Sequence, residues 1–325
     1  MSTAAPPIAA RPAAPAARAP AWPRPLVYAA RLSAFAVAAA LVAYLAIGFR
    51  YADTLSRVDR HELARDAAYV SATHEDVTFT TADGLTLKGW WFPAAVPRDR
   101  AVIFVHGKDQ DRIDSSFASG RIARELLARG YSTLLFDLRG HGESEGLRWG
   151  LGNQEALDVA AAVELAAQKA GVPRSRVAVI GESMGAGSAV MALARVPDVG
   201  PMVLDSVYAD AVRLVDEVGP AYSGLPSWFT PGMVLMAKLF FALDLGVVRP
   251  IDQVRAHPER AFMFIHCTED ATVALHHGIE MKGASANPAT QLWVAGDCGH
   301  AKASTRYPAE WSARVTAFLE EQLGR

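Results

Sequence analysis

The sequence predicts an α/β fold: a mostly parallel central sheet with helices on both faces, a small helical cap, and one N-terminal transmembrane helix. Three observations carry this. From residue 101 onward, short apolar runs alternate with helix-like stretches, the pattern of βαβ units. One run leads without a spacer into Gly181-Glu182-Ser183-Met184-Gly185 and then into small residues that favour a helix. Near the start, Leu32 to Phe49 is 18 residues without a charge.

The 325 residues are 51% hydrophobic, enough for a sizeable core, and the formal net charge of −2 gives no reason to expect a nucleic-acid partner. The charge is uneven. Residues 1–52 hold Arg11, Arg18, Arg24, Arg31 and Arg50 but no Asp or Glu. Residues 1–25, mostly Ala and Pro, bury too little to fold and read as a disordered tail. Residues 26–50 read as the anchor; as a helix the charge-free run would span about 27 Å, close to the hydrocarbon thickness. Arginines before the run and mixed signs after it put the N-terminus in the cytoplasm and the rest outside, in the periplasmic or extracytoplasmic space. A cleaved signal peptide is an alternative, although the run is long for one and no clean small-x-small site follows it. A buried core helix is the other.

Residues 51–73 are polar and helix-prone, a juxtamembrane helix or linker, so the globular domain is expected to span 74–325. Val77–Thr81 and Leu85–Phe92 alternate as strands around Asp83-Gly84, a tight-hairpin signal. Buried strands follow at 101–105, 131–136, 177–180, 201–204, 261–266 and 291–295, with helices at 116–129 and 154–170, after the elbow, and after each of the last two strands. Residues 210–252 break the alternation. They carry Tyr222, Trp228, Phe229, Met233, Met236, Phe240 and Phe241 with few charges, which fits a cap lining an acyl pocket and equally fits plain core. There is no internal repeat.

Strand, G-x-S-x-G and helix together form a nucleophile elbow. The turn is sharp enough to force Ser183 into a strained backbone conformation. Gly181 and Gly185 let strand and helix approach where a Cβ would clash. The Ser183 hydroxyl then stands at the positive end of the helix, and the Met184 N–H faces the place where an oxyanion would form. Gly142-Glu143-Ser144-Glu145-Gly146 matches the same five-residue pattern, but it follows a loop and precedes no small-residue helix. Ser144 is therefore not the expected nucleophile.

A serine hydroxyl needs a base. Of nine histidines, His300 follows the last strand and precedes the final helix, where that base belongs. His266 falls within or at the end of a strand, His276 and His277 on a helix, and His257 in a connection. The imidazole in turn needs a carboxylate. Asp270, at the tip of the penultimate strand, is the candidate; Asp205, after the strand before it, is the rival, and Glu269 would point elsewhere. A second oxyanion donor is expected from the backbone of His106-Gly107-Lys108, at Lys108, unless that stretch is an ordinary strand-end turn.

With His106-Gly107 and Arg112, the Asp137-to-Ser144 stretch, the elbow, Asp270 and His300 in place, the chain from about residue 74 resembles an α/β-hydrolase. It is most similar to membrane-anchored bacterial serine hydrolases related to the prolyl-oligopeptidase group. The resemblance implies cleavage of an ester, thioester or sometimes a peptide, without a metal or organic cofactor. It also implies that residues 139–144 are a structural loop. These motifs specify fold and triad, not substrate.

The expected activity is hydrolysis of a small-molecule or lipid-like carboxylic ester through an acyl-enzyme on Ser183. The alternatives are a serine peptidase of the same mechanism and a non-catalytic binding protein that keeps the fold. Oligomeric state is not legible. Cys267 and Cys298 depart from the family pattern, which often has Gly or another small residue there. They end neighbouring strands about 4.8 Å apart, within reach of a disulfide. Two free thiols packed as small apolar residues are the alternative.

Overall fold

The computed structural model describes residues 23–114 and 116–324. The chain forms two compact units, residues 1–44 and 45–325. The tail expected over 1–25 lies, through Trp22, outside the described residues. Helix α1 (Arg24–Ser56) is 33 residues long, and its most apolar stretch has a mean hydropathy of 2.2. It is long and apolar enough to cross a membrane. It runs past the expected boundary at residue 50, and the second unit begins at Leu45 rather than at 74.

The second unit is an α/β-hydrolase fold on an eight-stranded sheet whose strands, numbered along the chain, lie in the order 1-2-4-3-5-6-7-8. β1 (Glu75–Thr80) and β2 (Thr86–Phe92) form the hairpin, paired antiparallel to each other and to the next strand of the sheet. Its loop closes as the tight turn that Asp83-Gly84 suggests, the Gly84 N–H donating to Thr81 O at 3.0 Å. The Thr81 N–H donates to Leu85 O, and Gly84 takes φ +90°.

From β3 (Ala101–Val105) onward the sheet is parallel: α2 (Ser119–Ala128), β4 (Ser132–Phe136), α3 (Glu155–Ala170), β5 (Val177–Glu182), α4 (Met184–Met191) and β6 (Met202–Asp205). The cap follows as α5 (Ala211–Ser223), α6 (Thr230–Phe241) and α7 (Pro250–Ala256). The chain then returns to the sheet with β7 (Phe262–Cys267), α8 (Leu275–Ala284) and β8 (Gln291–Ala295). It closes with α9 (Ala303–Arg306) and α10 (Pro308–Leu323).

The central strands are buried on both faces, which is why they read as unbroken apolar runs. Their alternate side chains feed two cores. Ile103, Val105 and Val179 pack with α3, α4 and α8; Val102, Phe104 and Ile180 pack with α2 and α10. The cap residues divide in the same way: Phe229, Met233 and Met236 are buried, whereas Tyr222, Trp228 and Phe240 are exposed. Met236 packs in a third, smaller cluster with Ala52, Ala237 and Leu243.

Candidate active site

β5 runs into α4 with a single residue between them, Ser183. Its backbone takes φ 49° and ψ −119°, a conformation costing roughly 1–3 kcal/mol that only a tightly determined turn sustains. The glycines make the turn possible. A Cβ on Gly181 would lie 2.8 Å from Ala186 Cα, and one on Gly185 would lie 2.1 Å from Val105 O and 2.4 Å from His106 O. The second clash explains more than helix packing. By letting α4 press against the end of β3, Gly185 brings the His106-Gly107-Lys108 turn beside Ser183.

The structure brings the three expected side chains together. Ser183 Oγ is 2.7 Å from His300 Nε2, and His300 Nδ1 is 2.8 Å from Asp270 Oδ2. Asp270 is held in turn by the N–H groups of Thr272 and Val273, both donating to Oδ1 at 3.0 and 2.8 Å. Burial alone would raise the Asp270 pKa. The hydrogen bonds from His300 and Val273 outweigh it and hold the carboxyl below its ordinary value, so Asp270 is an anion facing the imidazole.

The other candidates are placed elsewhere. Asp205 bonds Ser206 Oγ at 3.1 Å rather than His300, and burial pushes its pKa up to about 7. Glu269 is exposed. Ser144 is fully buried; its hydroxyl donates to Asp137 O at 2.7 Å and accepts from the Lys88 N–H at 2.9 Å. The surrounding loop uses its charges internally. Arg112 pairs with Asp137 at 2.6 Å, and Arg139 pairs with Asp158 at 2.7 Å and with Asp83 at 2.8 Å. His266 lies in β7, its Nε2 2.7 Å from Val273 O. His257 caps α7.

Around the oxyanion position, Met184 opens α4, so its N–H is among those that find no acceptor within the helix. On the other side, the Gly107 N–H is already engaged, by Gln110 Oε1 at 2.6 Å and Glu182 Oε1 at 3.3 Å. Lys108 is the next residue along the turn, and it lines the cavity together with Ser183 and Met184. Its ammonium pairs with Asp109 and lies 5.2 Å over the Trp149 ring. His106 fixes the same turn through Gly107 O at 2.8 Å and the Leu138 N–H at 3.0 Å, and burial lowers its pKa, so it stays neutral.

Glu182, Gln110 and Ser206 carry no motif, and sequence reasoning missed them. Burial pushes the Glu182 pKa well above the carboxylate range, and the neighbouring Asp205 adds to it. Glu182 Oε1 accepts the Gly107 N–H at 3.3 Å and so braces the turn. Ser206, at φ 53°, accepts the Ala301 N–H at 3.0 Å and so ties the end of β6 to the loop that carries His300. Glu182 as the residue before the nucleophile was the only available signal.

Cys267 and Cys298 form a disulfide, with Cα atoms 5.3 Å apart. It closes a loop of sequence separation 31 that contains Asp270 and ends just before His300. The alternative of two free thiols is not what the structure contains.

A cavity of about 570 Å³ opens at Ser183 and His300, within the ~300–1,000 Å³ of drug-sized ligand sites. Its walls are mostly apolar, with Leu214 and Val218 from α5 and Met233 from α6. Away from it, Glu217, His276 and His277 cluster closely enough to suggest a cation site. The ring of His277 argues otherwise. Its Nδ1 accepts the Ala209 N–H at 3.2 Å, so its proton sits on Nε2, facing Glu217 Oε2 at 3.0 Å. Glu217 also pairs with Arg213, and the cluster clamps α5 to α8.

The model of the family described as serine aminopeptidase, S33, matches residues 97–289. The protein YfhR of Salmonella typhi is 25% identical over 259 residues, covering 78% of this chain and 83% of that protein. The crystal structure of the Pyrococcus furiosus esterase Pf2001 superposes with a TM-score of 0.67 at 27% identity, covering 82% of this chain and 99% of that one. A polyketide transferase of a Penicillium species, grgF, is 44% identical over 71 residues, 22% of this chain and 23% of that protein. Its solved structure has a TM-score of 0.61 at 19% identity, covering 78% of this chain and all of that one, which speaks for the fold alone. With more than half of its length matched by the family model, the chain belongs to the S33 serine aminopeptidase family of α/β hydrolases.

Proposed function

We propose that this protein is a serine esterase that hydrolyses acyl esters through an acyl-enzyme. One observation carries the reading: a Ser183–His300–Asp270 hydrogen-bond chain that opens onto an apolar cavity. Ser183 Oγ attacks the carbonyl carbon while His300 Nε2 takes its proton. Asp270 holds the proton on Nδ1 and stabilises the imidazolium that forms. The oxyanion accepts hydrogen bonds from the N–H groups of Met184 and Lys108. Collapse expels the alcohol, which receives the proton from His300. Water, activated by the same imidazole, then releases the acid.

The cavity chemistry favours esters over peptides with a free amino terminus. Among its described lining residues Asp109 is the one carboxylate, and it is paired with Lys108. An α-amino group would find no free anion there. A second reading, acyl transfer to an acceptor other than water, draws support from the 71-residue likeness to a polyketide transferase. A panel of p-nitrophenyl esters and peptide amides, with free acid and acyl-alcohol products separated by chromatography, tests these readings. Faster turnover of amides than of esters would overturn the ester assignment.

We read α1 as a retained anchor, with the N-terminus cytoplasmic and the hydrolase body outside. Arginines flanking the apolar run support the orientation, and a disulfide suits an oxidising compartment. C-terminal fusions to alkaline phosphatase and to green fluorescent protein test it. A fluorescent, phosphatase-negative fusion would refute it.

A further inference from the structure

We propose that the last two turns of α1 belong to the substrate-binding site and set the acyl-chain length that the cavity accepts. The inference rests on the ester reading of Ser183. Tyr51, Ala52, Leu55 and Ser56 line the same cavity as Ser183 and His300. Their spacing puts all four on one helix face. Asp53, Thr54 and Arg57 are absent from that wall.

The segment is built into the body in two ways. Along the helix, α1 meets α6 backbone to backbone: a Cβ on Gly48 would lie 2.8 Å from the Gly232 carbonyl carbon. Ala52 packs with Met236, Ala237 and Leu243, and the Phe49 ring sits 5.1 Å edge-on to Phe240. At the end of the helix, Arg148 forms a polar latch. Its Nη1 donates to Asp53 O at 3.0 Å and to Ser56 Oγ at 2.7 Å, and its Nη2 pairs with the Asp53 carboxylate. The Trp149 backbone N–H donates to Ser56 O at 2.9 Å, and Trp149 itself lines the cavity. The latch thus joins the helix end to the Arg148–Trp149 segment at the cavity wall.

A wall so fixed measures what lies against it. Leu55 is half-buried, and its side chain is the largest aliphatic one that α1 contributes to the cavity. Changing one or more methylene equivalents in an apolar pocket shifts discrimination between substrates by roughly tenfold or more.

The test uses the full-length protein in detergent and compares kcat/KM for p-nitrophenyl decanoate with that for p-nitrophenyl butyrate. Leu55→Trp is expected to lower the decanoate-to-butyrate ratio by about tenfold, and Leu55→Ala to raise it. Thr54→Ala, on the exposed side of the same helix, is expected to leave the ratio unchanged. Labelling by a fluorophosphonate probe keeps the two hypotheses apart. If wild type and both Leu55 variants are labelled but the ratio stays within twofold, the α1 wall is refuted and the esterase reading stands. If wild type is not labelled, the esterase reading fails and takes this one with it. Leu55→Ala covers the case in which the larger Trp prevents folding.

Discussion

Gly185→Ala tests how the elbow is built. The added Cβ would sit 2.1 Å from Val105 O, whereas ordinary contacts begin near 3.4 Å. Something must therefore move by about 1.3 Å, the difference between the two. β3 cannot readily yield. It is paired on both sides, and Val105 itself pairs with Gly181 of β5. The displacement falls on the first turn of α4 or on the His106–Lys108 turn, which together carry Ser183 and both proposed oxyanion donors. Overpacking of this kind costs about 1–3 kcal/mol of stability. Misplacing reacting groups by ~1 Å costs on the order of 100-fold in rate. Thermal stability and kcat/KM on p-nitrophenyl butyrate should thus both fall, the rate loss being worth about 2.7 kcal/mol, similar in size to the loss of stability. A Gly185→Ala protein with kcat/KM within twofold of wild type would show that the close approach of α4 to β3 does not position the site.

Ser144→Ala should leave fluorophosphonate labelling intact while lowering stability by about 1–3 kcal/mol, because the buried Lys88 N–H loses its acceptor; loss of labelling would contradict this. Asp205→Asn should change the pH profile of stability. The folded pKa of Asp205 is raised to about 7, so its favourable contribution is complete below the unfolded value near 4 and is lost as pH rises through 7. Relative to wild type, the Asn variant should therefore gain on the order of 4 kcal/mol between pH 4 and pH 8, and a pH-independent difference in denaturation midpoint would refute it. Protein isolated from its native compartment and alkylated without reduction should carry no adduct at Cys267 or Cys298, and its reduction should cost roughly 3–4 kcal/mol. Two adducts by intact mass would exclude the bridge.

What could be read from the sequence follows from range. The elbow is local: an apolar β-branched run, two glycines and a small-residue helix within 18 residues state their geometry without help from the rest of the chain. His300 and Asp270 needed only the order of the strands, and the structure brings both to Ser183. The central strands were legible because burial on both faces makes them short apolar runs, with polar residues only at their ends. Contacts distant in sequence were not legible. Ala52 packs against Met236, and Asp53 meets Arg148, through positions with no periodicity in common. Residues 51–73 therefore read as a juxtamembrane helix or linker, and the sequence did not show that Tyr51, Ala52, Leu55 and Ser56 line the cavity. Glu182 is similar. It is buried and braces the Gly107 turn through Oε1, a contact between residues 75 apart in sequence. The Asp83-Gly84 signal was local as well: the turn closes through the Gly84 N–H to Thr81 O, and only the pairing of Asp83 with Arg139, distant in sequence, was not legible.

The most direct measurement is intact-mass analysis of the full-length protein after reaction with a fluorophosphonate, in wild type and in Ser183→Ala. One phosphonyl adduct on wild type, mapped to the peptide containing Ser183, and none on the variant is the result expected of a Ser183 nucleophile activated by His300. An adduct that persists in Ser183→Ala, or that maps to the peptide containing Ser144, would contradict it.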